Sequence, residues 1–237
     1  TNAKNVEQVF TKYLPDVVIN TAAMTNVDAC ESDRDGALML NATSVKNQVE
    51  VLESLQKKNA MYKPQFIHLS TDFIFDGTHG PLDETEKPNP LSYYAETKLL
   101  GEEYVIKSSL HWAIARTVLV YGIVDNMSRS NIVLWVKSNL EQGKTINVVD
   151  DQFRTPTLAE DLADGCILIA EKSAQGIYNI SGKDFYSILD LARTVADYYG
   201  LDKTLIKPSK STDIKQPAKR PPITGFIINK ARRDLGY

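Results

Sequence analysis

Three apolar runs of strand length, separated by stretches with helical spacing, set the narrowest limit on how this chain can fold. Asp16-Val17-Val18-Ile19-Asn20-Thr21-Ala22-Ala23, Phe66-Ile67-His68-Leu69-Ser70 and Trp112-Ala113-Ile114-Ala115-Arg116-Thr117-Val118 are near-continuous rather than alternating, as strands buried on both faces are. Between the first two, Val45, Val49, Leu52 and Leu55 recur at helical spacing, and a second helix is expected from about Tyr93 to Lys107. Strand, helix, strand, helix, strand in that order requires a parallel sheet with helices on both faces. Ligands in such sheets bind beyond the carboxyl ends of the strands. Ala22-Ala23, Ser70-Thr71-Asp72 and Leu119-Val120-Tyr121-Gly122 therefore fall around one crevice.

The flanking sequence is less regular. Asn5 to Tyr13 reads as a helix with Val6, Val9, Phe10 and Tyr13 on one side, closed by Pro15. Beyond Ile123 the pattern loosens. A helix around Asn131 to Gln142, a strand Thr145 to Val149, a polar turn Asp150 to Thr157 and a helix Leu158 to Glu171 follow, then a strand Ile177 to Ile180 and a helix Ile188 to Tyr199. The tail from Lys207 to Pro222, rich in Lys, Ser and Pro, reads as irregular. Residues 1–122 are thus expected to form the main domain. Residues 123–237 mainly form a smaller lobe over the crevice, with some segments returning to the main sheet.

Composition removes several classes of function. With 237 residues and a net charge of −3, the chain can bury a full core but has no Lys/Arg run for a nucleic-acid backbone or a membrane surface. Cys30 and Cys166 stand apart, and His68, His79 and His111 are dispersed, so neither a metal site nor a disulfide framework is expected. No apolar run reaches the ~18 residues of a membrane span and no signal peptide opens the chain, which suits a soluble, cytoplasmic protein.

The chemistry is sought in Pro90-Leu91-Ser92-Tyr93-Tyr94-Ala95-Glu96-Thr97-Lys98, together with Ser70-Thr71-Asp72 before it. In a helix, Tyr94 and Lys98 lie one turn apart on the same face. An ammonium beside a phenol lowers a pKa that is ordinarily near ~10, and such a phenol can exchange a proton with a carbonyl or alcohol oxygen. Thr71, at the end of a strand, could hold the same oxygen by a hydrogen bond. About one Tyr-x-x-x-Lys is expected by chance in a chain of this composition. A second copy does occur at Tyr199 to Lys203, but Gly200 reads as a helix stop that separates the pair. The residues alone leave open that Thr71 and Asp72 merely form a turn.

In order along the chain, Pro15-Asp16-Val17-Val18-Ile19-Asn20-Thr21-Ala22-Ala23-Met24-Thr25, Val27-Asp28, Glu31, Leu40-Asn41-Ala42-Thr43, Ser70-Thr71-Asp72-Phe73-Ile74-Phe75-Asp76-Gly77, Tyr94-x-x-x-Lys98, Arg116-Thr117, Pro156-Thr157 and Arg220-Pro221 resemble the dTDP-4-dehydrorhamnose reductase family of the extended short-chain dehydrogenase/reductases. The resemblance covers nearly the whole chain. It implies a Rossmann-like, doubly wound fold, with residues 1–122 as the dinucleotide-binding part and 123–237 mainly a substrate lobe. The implied reaction is NADPH- or NADH-dependent reduction of the C4 keto group of a nucleotide-linked deoxysugar, dTDP-4-dehydrorhamnose to dTDP-rhamnose, by a protein that could form a homodimer. Tyr94 would be the proton donor, Lys98 would tune it and bind the nicotinamide ribose, and Thr71 and Asp72 would contact the sugar. Ala22, Ala23, Met24, Thr25, Asn41, Ser70 and Leu119 would line or support the cofactor, while Leu119, Arg154 and Arg220 would face the substrate, the arginines at its diphosphate. The bland alternatives are tight packing for Ala22 and Ala23, a surface helix position for Asn41, and surface ion pairs for the arginines.

Three departures from the family pattern stand out. No Gly-rich dinucleotide fingerprint is present, so roughly fifty residues, one βαβ unit and a little more, are expected ahead of Thr1. The family's Pro-Leu-Asn-x-Tyr-Gly is Pro90-Leu91-Ser92-Tyr93-Tyr94-Ala95 here, and Leu119 stands where these reductases usually carry a Trp. Two other functions fit the same motifs. One is a related nucleotide-sugar epimerase; the other is a non-catalytic NADP-binding subunit, since the regulatory subunit of methionine adenosyltransferase resembles these reductases and also has a Leu at that position.

Overall fold

The computed structural model describes residues 1–123 and 130–237; residues 124–129, in the loosely patterned stretch after Ile123, lie outside the described residues. Helix α1 (Ala3–Tyr13) leads to β1 (Val17–Asn20), and α2 (Val27–Ser32), α3 (Arg34–Leu38), a π-helical turn at Met39–Thr43 and α4 (Ser44–Lys58) cross to β2 (Gln65–Thr71). After a long loop, α5 (Tyr93–Ile106) crosses to β3 (His111–Thr117). Then come β4 (Val120–Tyr121), α6 (Ile132–Glu141), β5 (Ile146–Val149), β6 (Phe153–Arg154), β7 (Thr157–Leu158) and α7 (Ala159–Glu171). The chain closes with β8 (Gly176–Asn179), β9 (Tyr186–Ser187), α8 (Ile188–Tyr199), β10 (Ile206–Ser209) and α9 (Asn229–Leu235).

The main sheet has the order β1-β2-β3-β8, and every pairing in it is parallel, with Val18 opposite Phe66, Phe66 opposite Trp112 and Ala113 opposite Gly176. Successive side chains of a strand point to opposite faces. Phe66 and Ile114 accordingly pack under Val45, Val49 and Leu52 of α4 and Val105 of α5. Ile67, Ala113 and Ala115 pack against Leu162, Cys166 and Ile169 of α7 and Ala231 and Leu235 of α9 on the other side. Helices on both faces make the sheet doubly wound. A second apolar cluster joins α6, α8, β5 and β10 through Val136, Leu140, Ile146, Leu189, Val195 and Ile206.

Four local expectations fail for identifiable reasons. Burial on both faces holds for β2 but not for β1, where Val17 and Ile19 are exposed at the edge of the described sheet. In α1, Phe10 packs inward while Val9 and Tyr13 are exposed. Lys207–Ser209, read as the start of an irregular tail, belong to strand β10, because Ile206 fills the second core and the backbone pairs with β5. The polar turn contains β6, which pairs antiparallel with β9. Both strands are set by partners more than thirty residues away, which local periodicity does not carry.

Candidate active site

Ser92 starts α5: its side chain accepts from Ala95 N, and Glu96 lies in the first turn, where a negative charge suits the helix dipole. Tyr93 N donates to Glu31 Oε1 over 2.8 Å, tying the start of α5 to α2. Tyr94 follows, buried beside Cys30, Ala37, Met24 and Phe73, whose ring meets it edge-on with centroids 6.0 Å apart. One turn on, Lys98 Nζ donates to the Leu69 carbonyl of β2 over 2.6 Å. Gly101 lets α5 lie close against the π-helical turn, since a Cβ there would lie 2.6 Å from Asn41 O.

At the end of β2, Thr71 caps a short turn by accepting from Phe73 N (3.2 Å) and donates its hydroxyl to Asp72 Oδ1 (3.2 Å). The turn-forming alternative for this pair is thus true, and it does not remove the residues from the crevice. Asp72 is buried; its Oδ2 accepts from Thr224 Oγ1 and lies 3.5 Å from Arg154 Nε. Asn41 is a staple rather than a wall. Its Oδ1 accepts from Met24 N (2.7 Å), and its Nδ2 donates to Met24 O (3.2 Å) and Thr97 Oγ1 (3.0 Å), joining the loop after β1 to α5.

A crevice of about 540 Å³ opens over the carboxyl ends of β1, β2 and β3, with Tyr94, Lys98 and Thr71 in its wall. Burial holds the Tyr94 phenol well above its ordinary range; a hydrogen bond with Thr71 opposes this, and the charges of Asp72 and Cys30 add to it. The expected lowering by Lys98 is not what governs this phenol. Its proton stays on, which is the state of a donor. Lys98 is itself brought down to about 8 by burial, against the pull of Glu102. Glu102 is bound in turn by Arg116 through Nε (3.0 Å) and Nη2 (2.7 Å), both side chains being buried. Below the crevice, burial and then the charge of Lys98 keep His68 well below its usual value, hence neutral, with Nδ1 3.1 Å from Asn20 Nδ2.

Of the residues singled out from the sequence, Ala23, Thr25, Ser70, Thr71, Asp72, Tyr94, Lys98 and Leu119 meet at this crevice. Ala22 and Met24 belong to the same loop as Ala23 and Thr25 but not to the described lining, Met24 being held by Asn41. The two arginines do not offer free forks. Arg154 is buried on Asp72 and on backbone carbonyls, and Arg220 is bound to Asp28 through Nη1 (3.1 Å) and Nη2 (2.6 Å). Sequence reasoning passed over Thr21, Phe73, Thr117, Asn131 and Leu162, which also line the crevice. Two of these carried a signal: Thr117 lies one residue before the predicted end of its strand and is the observed end of β3, and Asn131 is the N-cap of α6, accepting from Leu134 N. The second Tyr-x-x-x-Lys is split as expected, with Gly200 at φ 64° capping α8 and Lys203 paired with Asp197. Among the described residues no helix is long and apolar enough to cross a membrane.

The family described as the RmlD substrate binding domain matches the chain over residues 1–237. A probable low-salt glycan biosynthesis reductase, Agl14, of Haloferax volcanii is 30% identical over 238 residues, covering 100% of this chain and 77% of that protein. The methionine adenosyltransferase 2 subunit beta of Bos taurus is 30% identical over 208 residues, 86% of this chain and 60% of the subunit. Among solved structures, a dTDP-4-dehydrorhamnose reductase of Bacillus anthracis in complex with NADP superposes with a TM-score of 0.89 at 27% identity, covering 98% of this chain and 79% of that one.

Proposed function

The chain belongs to the RmlD substrate binding domain family, and from that membership we propose an NAD(P)H-dependent oxidoreductase that reduces the 4-keto group of a nucleotide-linked deoxysugar. The leading substrate is dTDP-4-dehydrorhamnose and the product dTDP-rhamnose. One observation carries this reading: Tyr94 stands in the crevice wall with its proton retained, beside the Thr71 hydroxyl and one helical turn from Lys98.

The wall suits a nicotinamide cofactor. Ser70 lines the crevice with a buried Oγ that has no partner among the described residues, and such a group is costly unless a ligand satisfies it. Ala23 and Thr25 are small enough to let a ring and ribose approach the backbone, and Lys98 brings the only lysine ammonium in the described lining. When bound, the reduced nicotinamide supplies the hydride. The chain's own part is to deliver the proton. Tyr94 gives it to the oxygen that was the carbonyl, Thr71, whose own proton rests on Asp72, is placed to accept from the hydroxyl so formed, and Leu119 and Leu162 narrow the crevice against water.

The test is turnover by the full-length protein, with dTDP-4-keto-6-deoxyhexoses and NADPH or NADH, followed by loss of the reduced-nicotinamide absorbance. Absence of any turnover would reject the reductase. The alternative, a non-catalytic NADP-binding subunit, is favoured by the 30% identity to the methionine adenosyltransferase subunit beta; it requires capture of a methionine adenosyltransferase catalytic subunit by a protein without reductase activity.

Leu119 tests the sugar. It lines the crevice at φ 40°, a left-handed conformation that is uncommon outside glycine. An indole there would present a larger face to the sugar, so Leu119→Trp should raise kcat/KM for dTDP-4-dehydrorhamnose by about 3- to 10-fold relative to other 4-keto sugars. An unchanged ranking across a panel of such sugars would take Leu119 out of substrate choice.

A further inference from the structure

We propose that Arg154 is a positioning residue for the proton donor: through Asp72 and Phe73 it aligns Thr71 and Tyr94, and its bonds to Pro221 and Pro222 make that alignment depend on the 221–226 segment being seated. This rests on the reductase reading for its catalytic consequence, but not for its geometry. Every part of the guanidinium is engaged. Nη1 donates to Phe153 O (2.7 Å) and Pro222 O (3.0 Å), Nη2 donates to Pro221 O (2.7 Å), and Nε lies 3.5 Å from Asp72 Oδ2. Its Cζ also sits 5.5 Å from the centre of the Phe73 ring.

Two routes lead from this cation to the phenol. Along the first, Asp72 receives the Thr71 hydroxyl, and Thr71 shares the crevice wall with Tyr94. Along the second, Phe73 packs edge-on against the Tyr94 ring. Asp72 and Phe73 are neighbours in one short helical turn capped by Thr71, so a shift of Arg154 moves both contacts together. Displacements far smaller than a residue change rates when they reach the reacting group.

The 221–226 segment is the other end of the lever. Phe153 N donates to Pro222 O (2.7 Å) and Thr224 N donates to Phe153 O (3.2 Å), so the segment lies along β6. Ile223 N donates to Gly77 O (3.2 Å) and Leu82 N to Gly225 O (2.7 Å), closing it against the loop that follows the Asp72 turn. Thr224 then places its hydroxyl on the same Asp72 oxygen that faces Arg154. The C-terminal part of the chain thus reaches the proton donor through one carboxylate and one planar fork, a geometry that a lysine ammonium does not reproduce.

Charge gives a signature that mere scaffolding would lack. Burial raises the Asp72 carboxyl, and Arg154 opposes that more than the bonds from Thr224 and Thr71 do. The other charged or titratable groups nearby are Tyr94 on α5, with Cys30 behind it, and Arg220, which faces Arg154 while bound to Asp28. Without Arg154, Asp72 should take up a proton at higher pH, cease to accept from Thr71, and release its hold on the donor.

The experiment uses the full-length protein with Arg154→Gln and Arg154→Lys. In Arg154→Gln, kcat should fall roughly tenfold, and the acid limb of the kcat/KM profile should move to higher pH. Carbon-13 NMR should show the Asp72 carboxyl, assigned by its loss in Asp72→Asn, titrating at higher pH than in the wild type. Arg154→Lys keeps the charge and loses the fork, so kcat should fall several-fold with the acid limb in place and the Phe73 amide resonance shifted. Wild-type kcat in Arg154→Lys, or an unmoved Asp72 titration in Arg154→Gln, overturns the proposal. If Arg154→Gln does not fold, Arg154→Lys decides alone. If the wild type shows no turnover, the reductase reading fails, and the Asp72 titration and Phe73 resonance still decide whether Arg154 controls this alignment.

Discussion

Replacing Tyr94 by Phe should lower kcat by ~10²–10⁴ while leaving cofactor affinity nearly unchanged, the pattern of a lost general acid. The ring stays where Phe73 and Cys30 already pack it, so the change removes a hydroxyl and little else. Lys98→Met should weaken both turnover and cofactor binding, since its ammonium lines the crevice in which the proposed cofactor and substrate would meet. The two losses should not add in the double variant, because each disables the same proton delivery. A pH profile adds an independent check. With Lys98 brought down to about 8, the wild-type kcat/KM should fall on the alkaline side near that pH, as Lys98 loses its charge, and Lys98→Met should lack this limb. Tyr199→Phe is the control; its ring lies at the end of α8, beside Lys137. If Tyr94→Phe turned over as fast as the wild type, Tyr94 would not be the proton donor.

Much of this site was visible in the sequence because it is local. Tyr94 and Lys98 are related by one helical turn, and the helix is announced by Ser92 and by the run that buries Ala95, Gly101 and Val105. Thr71 and Asp72 follow a strand whose apolar content marks it as internal. The family resemblance rested on such local runs, and the match over the whole chain bears it out. What the sequence did not show is how these pieces are held. Arg154 was expected at a diphosphate because a guanidinium fork fits phosphate, yet the carbonyls of Pro221 and Pro222 occupy that fork. Arg220 likewise closes on Asp28, far away in the chain. Spacing within a helix or strand is set by the backbone, whereas these partners meet only after the whole sheet and its second core have formed. The acidity of Tyr94 was misjudged for a related reason. Proximity to Lys98 is readable from a spacing, but burial by Cys30, Ala37 and Phe73 is not.

Removing the carboxylate behind Lys98 should cost about 3–5 kcal/mol of folding stability, which makes Glu102→Ala the most damaging single change expected outside the crevice. Glu102 is fully buried and holds Arg116 by two bonds in a planar fork. Arg116 has no access to water that could replace this partner, and its Nη1 already lacks one among the described residues. Its guanidinium carbon lies 5.3 Å from the centre of the Phe75 ring, a contact that stabilises a desolvated cation by ~2 kcal/mol but is present with or without Glu102 and so does not offset the loss. Urea unfolding should show a lower midpoint with an unchanged slope, since the surface exposed on unfolding is the same. Replacing both partners, Glu102→Leu with Arg116→Met, should recover much of the stability, because it removes the stranded charge together with its partner. A loss below ~1 kcal/mol in Glu102→Ala would mean that water reaches Arg116 and that the pair is not the strut it resembles. The milder Glu102→Gln links this strut to the chemistry. Glu102 is what holds the Lys98 ammonium up against burial, so without its charge Lys98 should release its proton at lower pH. The alkaline limb of kcat/KM should then slide below about 8, even at temperatures where the variant remains folded.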